Sequence, residues 1–375
     1  MRIGIDARTL SYPYSGIPIY VHDVISYWNK YEIEDEFFLY SNRPFSLDFE
    51  LGSNWHVFVD EHKYGGIWTQ TRIPYLLQRD KVDAYWEPMN FLPRRVKGVK
   101  YFVTIHDMAV YLYPWLGTVT DAILERLLLK RSCHRADRII AISKSTKQDI
   151  VNYLGSEEDK INVIYNGDSP YTGKEPSYNS QDEKAMLDKW ELCSGNFLLF
   201  VGTIEPRKNI DSIVSAYELL RNQRKYSGKL VIAGRPGWKS HKVLTHIKKS
   251  KYRKDIVVTD YISESEKECL YRNAECLLFI SLYEGFGFPI VEAMSVGLPV
   301  ITSSVSSMPE VGGDAATYIE KEKLRNAEAI ASAITDTLSE SPVLQEKTRE
   351  KMLKRAAEFK REDSAMELYT LITAI

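Results

Sequence analysis

Short runs of β-branched and aromatic residues alternate along the whole chain with longer amphipathic stretches, and this alternation stops once and restarts. That is the pattern of parallel sheets wrapped by crossover helices, so the expected class is α/β. Strands are expected at Arg2 to Ile5, Phe37 to Tyr40, His56 to Val59, Ala84 to Trp86, Tyr101 to Ile105, Arg138 to Ile142 and Asn162 to Tyr165. Between Gly167 and Asn196 the chain turns polar and rich in Pro, Gly, Ser, Asn and Lys, with one short helical stretch near Glu183 to Trp190. Strands resume at Phe197 to Val201, Lys229 to Ala233, Ile256 to Thr259, Cys276 to Ile280 and Pro299 to Thr302. The expected division is a domain over 1–168, a connection over 169–195 and a second α/β domain over 196–359. The apolar-striped tail 360–375, with Met366, Leu368 and Leu371, is helical by period and needs a surface to pack on.

A length of 375 residues and a hydrophobic content of 44% suit two domains of ordinary size. The net charge of −2 gives no global basic field for neutralising phosphates along a duplex, so nucleic acid is not an expected partner. Asp6 falls where a secretory peptide would be apolar, which points to an untargeted cytoplasmic chain. The longest apolar runs are far below the roughly 18 to 20 residues needed to span a bilayer. Cys133, Cys193, Cys269 and Cys276 show no metal-binding spacing and read as buried free thiols.

The most chemical segment is Ser281–Ile301, Ser-Leu-Tyr-Glu-Gly-Phe-Gly-Phe-Pro-Ile-Val-Glu and onward. It follows an apolar strand, turns through two glycines and enters a helix near Pro289, where a missing amide proton costs little. A glycine turn leading into a helix start at a strand's carboxyl end favours an anion, commonly phosphate. Glu284 and Glu292 bracket it. Acids beside a phosphate suit sugar hydroxyls, which donate to carboxylates; otherwise Glu292 merely favours a helix N-terminus.

The Glu284 to Glu292 spacing, within Glu-Gly-Phe-Gly-Phe-Pro-Ile-Val-Glu-Ala, resembles the signature of retaining glycosyltransferases of family 4, which have the glycosyltransferase B fold of two facing Rossmann-like domains with the donor in the cleft. The resemblance implies that the tail 360–375 packs back on the first domain, that Glu284 lies by the transferred sugar, that Glu292 binds the nucleotide ribose, and that the backbone of Phe286 and Gly287 faces sugar and pyrophosphate. Val201-Gly-Thr-Ile-Glu-Pro-Arg-Lys-Asn209 is similar to the family's diphosphate loop, implying donor contacts at Gly202, Arg207 and Lys208. Cations at a strand end suit that task, since a leaving diphosphate must be neutralised. Val258 to Ser263 resembles the segment beside the base, with backbone contacts from Tyr261 and Ile262. Thr104-Ile-His-Asp-Met108 resembles the family's His-Asp: His106 would donate to a sugar hydroxyl or to developing charge, with Asp107 either fixing its tautomer or capping the next segment.

Two departures appear. The glycine-rich loop around Gly16 carries Pro18 where a second glycine is usual, leaving Gly16 to admit the phosphate. Trp86-Glu87-Pro88 stands where relatives often carry a His before the Pro, so no acceptor contact is carried over there. Between Arg94 and Arg135 lie eight Lys or Arg against three Asp or Glu, with Trp115 and the run Ile123 to Arg131. That stretch is either a face resting on an anionic membrane surface, reaching a lipid-linked acceptor, or a packed helix with a solvated charged edge.

The resemblance is strongest to bacterial mannosyltransferases of lipopolysaccharide and surface-polysaccharide synthesis. It implies retaining transfer of a hexose from a nucleoside-diphosphate sugar, such as GDP-mannose, to a hydroxyl of a glycan or lipid-linked acceptor. No Asp-x-Asp stands in the donor segments, so no metal is expected, Arg207 and Lys208 taking that role. The rivals on the same fold are a sugar-nucleotide epimerase, a phosphorylase and a non-catalytic nucleotide-sugar sensor.

Overall fold

The computed structural model describes residues 1–12, 16–31, 33–116, 118–167 and 169–374, without the side chains of Leu116 and Val119. The chain forms two compact units, Met1–Gly167 with Lys360–Ile375, and Asp168–Phe359.

In the first unit the strands are β1 (Arg2–Asp6), β2 (Glu36–Ser41), β3 (Trp55–Val59), β4 (Ala84–Glu87), β5 (Lys100–Ile105), β6 (Arg138–Ala141) and β7 (Ile161–Val163). All pair in parallel, in the order β3-β2-β1-β4-β5-β6-β7. The helices are α1 (Gly16–Lys30), α2 (Gly65–Arg79), α3 (Ala109–Leu112), α4 (Val119–Arg135) and α5 (Lys144–Leu154). Because a strand alternates its side chains, neighbours such as Tyr85 and Trp86, or Tyr101 and Phe102, feed two separate cores on opposite faces of the sheet. One core takes in Trp68 and Leu76 of α2 and Leu129 of α4, the other Val21 and Trp28 of α1.

Further along run α6 (Ser180–Asp188), α7 (Ile210–Asn222), α8 (His241–Lys249), α9 (Glu264–Asn273), α10 (Phe288–Ser295), α11 (Met308–Gly312), α12 (Ala327–Leu338), α13 (Pro342–Ala356) and α14 (Arg361–Thr373). The tail helix α14 belongs to the first unit, where Leu368 and Ile372 join the core beside α1. The Trp28 indole donates to the Ala365 carbonyl at 2.8 Å, and Arg361 pairs with Asp23 at 2.6 Å. The returning chain passes so close that a Cβ on Gly167 would lie 2.3 Å from the Arg361 Cα.

In the second unit the strands are β8 (Phe197–Val201), β9 (Lys229–Ala233), β10 (Ile256–Val258), β11 (Cys276–Phe279), β12 (Val300–Ser303) and β13 (Thr317–Ile319), parallel in the order β10-β9-β8-β11-β12-β13. The expected connection 169–195 is not a loose tether. Its polar side chains are spent on α9: Ser177 donates to Glu268 at 2.6 Å, Asn273 donates to Glu183 at 2.7 Å, and the Tyr171 ring packs 6.2 Å from that of Tyr271. Of the four cysteines, Cys193 is exposed and corrects the expectation that all are buried.

Candidate functional site

The order of the second sheet reverses between β8 and β11, the switch point beside whose carboxyl ends doubly wound sheets bind ligands. Beside β8, the end of β9 comes in so tightly that a Cβ on Gly234, whose φ is +157°, would lie 2.1 Å from the Gly202 carbonyl oxygen. The chain then makes a 3₁₀ turn over Pro206–Lys208 and enters α7 through Asn209, whose side chain donates to the Leu324 carbonyl at 2.6 Å. This turn sets Arg207 and Lys208 side by side against the loop after β11, and the Leu282 amide donates to the Arg207 carbonyl at 2.8 Å.

Glu284 is the common partner. Arg207 Nη1 donates to its Oε2 at 2.8 Å and to the Tyr283 carbonyl at 2.8 Å, while Lys208 Nζ donates to its Oε1 at 2.7 Å. Arg207 Nη2 also meets Glu205 at 2.9 Å. The loop is pinned from behind by β12's following turn: Ser307 donates to the carbonyls of Glu284 at 3.0 Å and Phe286 at 2.6 Å, and Ser306 donates to the Glu284 carbonyl. Glu284 is buried, and burial alone would raise its carboxyl. The guanidinium and the ammonium together outweigh that and hold it at about 2. Among the described residues two carboxylates therefore face two cations, and their charges balance.

Gly287, with φ +113°, stands before α10 without a side chain to cap it, so no side chain of its own occupies the helix start. The Ile290 amide turns back to the Gly287 carbonyl at 2.9 Å, and the Phe286 carbonyl is taken by Ser307, so of the backbone expected to meet sugar and pyrophosphate this carbonyl is already committed. Glu292 lies in the second turn of α10, 8% exposed. Lys267 donates to its Oε1 at 2.8 Å and Tyr271 to its Oε2 at 2.8 Å. Lys267 reaches Glu264 as well, at 3.0 Å. Burial works against the Lys267 ammonium, but Glu292 and Glu264 more than offset it and raise it above its ordinary value. Sequence reasoning missed Lys267, Tyr271, Glu205, Ser306 and Ser307. Only Glu205 had a local signal, as an acid two residues before the cations. Tyr261 stands 72% exposed at the end of β10, with Ile262 half-buried beside it.

Gly16 and His106 belong to the first unit. Gly16 opens α1 with φ +25° and no described residue comes within 4 Å of where a Cβ would stand; Ser15 lies outside the described residues. His106 follows β5, half-buried, with Nε2 at 2.7 Å from the Pro88 carbonyl oxygen. Asp107 accepts from the Ala109 amide at 2.9 Å. That bond holds the first amide of α3, and the Pro88 carbonyl, rather than Asp107, is the group hydrogen-bonded to the imidazole. On α4, Ile123, Leu124 and Leu127 are each more than half exposed, and Lys130 and Arg131 continue the same exposed stretch. Lys130, Arg131, His134 and Lys160 line a cavity of about 700 Å³. Arg126, grouped by charge with that face, instead donates to the carbonyls of Val110 at 3.0 Å and Tyr111 at 3.1 Å and is a structural tie. Among the described residues no helix is long and apolar enough to cross a membrane.

Two family models match the chain: "Glycosyltransferase Family 4" over residues 14–168 and "Glycosyl transferases group 1" over 188–359. The O-antigen chain mannosyltransferase B of Escherichia coli is 29% identical over 264 residues, 70% of this chain and 67% of that one. The serotype-specific mannosyltransferase WbdA of Escherichia coli is 31% identical over 184 residues, but the match spans 48% of this chain and only 22% of WbdA. Among solved structures, WaaG, a glycosyltransferase involved in lipopolysaccharide biosynthesis, superposes with a TM-score of 0.74 at 16% identity, covering 100% of both chains. Anabaena HepE, in complex with UDP and glucose, does so with 0.71 at 14%, covering 100% of this chain and 99% of that one. With two doubly wound sheets and family models over nearly its whole length, the chain belongs to the family 4 and group 1 glycosyltransferases of the glycosyltransferase B fold and resembles bacterial mannosyltransferases.

Proposed function

We propose that this glycosyltransferase moves a hexose, mannose from GDP-mannose, with retention of configuration to a hydroxyl of a growing glycan or lipid-linked oligosaccharide in lipopolysaccharide or surface-polysaccharide synthesis. The observation that carries the reading is Glu284 held between Arg207 and Lys208 at the switch point of the second sheet. A diphosphate entering there shares both cations, and they take up the charge that grows on it as the glycosidic bond breaks. Glu284, kept ionised, accepts from sugar hydroxyls; Glu292, with each oxygen already fixed by one donor, accepts from the ribose. Transfer proceeds without a divalent ion, the two cations filling that role, and the leaving phosphate helps to take the acceptor's proton. Mannose is favoured by the names of the relatives.

A uridine donor is the second reading, because the HepE structure holds UDP and glucose. The exposed apolar stripe of α4 beside Lys130 and Arg131 favours peripheral contact with an anionic membrane surface, which would bring a lipid-linked acceptor within reach. The test is a thermal-shift panel of nucleotides and sugar nucleotides, followed by assay of nucleoside diphosphate release with glycan acceptors. A donor at about 100 times its dissociation constant stabilises by about 2.7 kcal/mol. GDP-mannose without effect, or binding without release of diphosphate under any acceptor, overturns the proposal; the latter leaves a sensor, and interconversion of the sugar on the nucleotide leaves an epimerase.

A further inference from the structure

At the carboxyl end of the first sheet, where its order turns between β1 and β4, three charged side chains are sealed from solvent. Asp6 and Glu87 are 0% exposed and Arg8 6%. Arg8 Nη2 lies 2.7 Å from Asp6 and 3.7 Å from Glu87, and its Nη1 donates to the Gly65 carbonyl at 3.1 Å. The Tyr85 hydroxyl sits 3.3 Å from Asp6 and 3.2 Å from Glu87. One cation for two buried carboxyl groups is an expensive arrangement that apolar packing would replace at no loss of stability. Burial and the neighbouring Asp6 push Glu87 well above the usual carboxylate range, against the pull of Arg8.

What Glu87 does with its other oxygen is specific. Oε1 accepts from the Met89 amide at 3.0 Å, fixing the turn Pro88–Asn90 immediately after β4. The first carbonyl of that turn, Pro88, meets His106 Nε2 at 2.7 Å, and Asn90 Oδ1 takes the His106 amide at 3.4 Å. A carbonyl only accepts, so the hydrogen lies on Nε2. The Tyr20 ring, edge-on at 5.6 Å, fixes the plane of the imidazole. Burial pushes this imidazole below its ordinary value, the Pro88 carbonyl and Asp107 opposing, and so favours the neutral ring. In the neutral ring Nδ1 then carries a lone pair, and no hydrogen bond from the described residues reaches it.

We propose that Glu87 is a positioning residue for His106: through the Met89 amide it holds the Pro88 carbonyl where it keeps the imidazole hydrogen on Nε2, so that Nδ1 meets a substrate hydroxyl as an acceptor. The substrate half of this statement rests on the transferase reading; the positioning half does not. It reverses the sequence expectation that His106 donates.

Two measurements test it. Long-range ¹H–¹⁵N correlation of ¹⁵N-histidine-labelled full-length protein, without any sugar nucleotide, reads the tautomer directly. The wild type is expected to show His106 only as Nε2–H, Glu87→Gln to keep that form because an amide oxygen still accepts from Met89, and Glu87→Ala to mix the two tautomers. An Nδ1–H form in the wild type, or an unchanged single tautomer in Glu87→Ala, overturns the positioning role whether or not the chain transfers sugar. In the second arm, Asn places its amide near the position of Nδ1 and Gln near that of Nε2. His106→Asn is expected to keep about tenfold more kcat/KM than His106→Gln, the scale of one hydrogen bond. The opposite order overturns the acceptor role. Should Glu87→Ala fail to fold, the wild-type tautomer and the order of the two His106 variants still decide.

Discussion

Lys208→Met removes one of the two cations on Glu284 while keeping an unbranched stem for the slot beside Phe279, whose ring lies 5.1 Å from the ammonium. Burial raises the Glu284 carboxyl, and Arg207 and Lys208 between them bring it down from 4.5 to about 2. The gap amounts to about 3 kcal/mol at neutral pH, and it is the ceiling on what losing one cation forfeits through this carboxyl. Because the folded carboxyl lies below its unfolded value, this stabilisation is complete well above pH 4.5 and is lost as the pH falls toward about 2. Amide hydrogen exchange in β8 and β11 reports opening of the second unit in the full chain. The expected difference between wild type and Lys208→Met is up to about 3 kcal/mol at pH 7, shrinking by more than half at pH 3. A difference of the same size at both pH values refutes the reasoning, since it would then be a packing loss with no charge in it.

The remaining predictions concern transfer itself. Arg207→Ala and Lys208→Ala should lower kcat by about 10²- to 10³-fold with a smaller rise in donor KM, whereas Glu292→Ala should act mainly on KM; equal rises in KM with kcat untouched would reduce the cations to binding ligands. Activity should survive EDTA, and loss of turnover restored by Mg²⁺ or Mn²⁺ would show that the cations do not suffice. Reversing the charge of Lys130 and Arg131 should weaken binding to anionic liposomes in low salt while turnover on a soluble acceptor persists; unchanged binding leaves a solvated helix face.

The strands were legible where they are buried on both faces, because such a run has no polar side to confuse with a helix. β8 and β9 begin and end where the apolar runs do. β13 was missed: it is three residues long, only Ile319 is buried, and the Tyr318 hydroxyl is satisfied by the Gly313 carbonyl rather than by solvent. The polar stretch after Gly167 is the opposite case. Its Ser177 and Glu183 are polar because they bond to Glu268 and Asn273 on α9, a use that composition alone does not distinguish from solvation. The acid on α10 was found by its spacing from Glu284, but its partners Lys267 and Tyr271 sit on a helix whose own sequence is mostly polar, and only the sheet brings that face to Glu292.

The adjacency of Arg207 and Lys208 announces a positive site in the sequence, but the structure shows that charge already answered. Glu205 and Glu284 bind the same guanidinium, and Glu284 also binds the ammonium. On the proposed reading a ground-state diphosphate would have to share these donors, so its binding would gain less from them than two solitary cations would offer. As the sugar departed, negative charge on the phosphate oxygen would rise while that on Glu284 would not. The balance of sharing would then move toward the leaving group at no cost in new ordering, because the Tyr283 carbonyl and the carboxylates already fix the guanidinium in place. Neutrality of the cluster is thus the reason to expect its cations in kcat more than in KM.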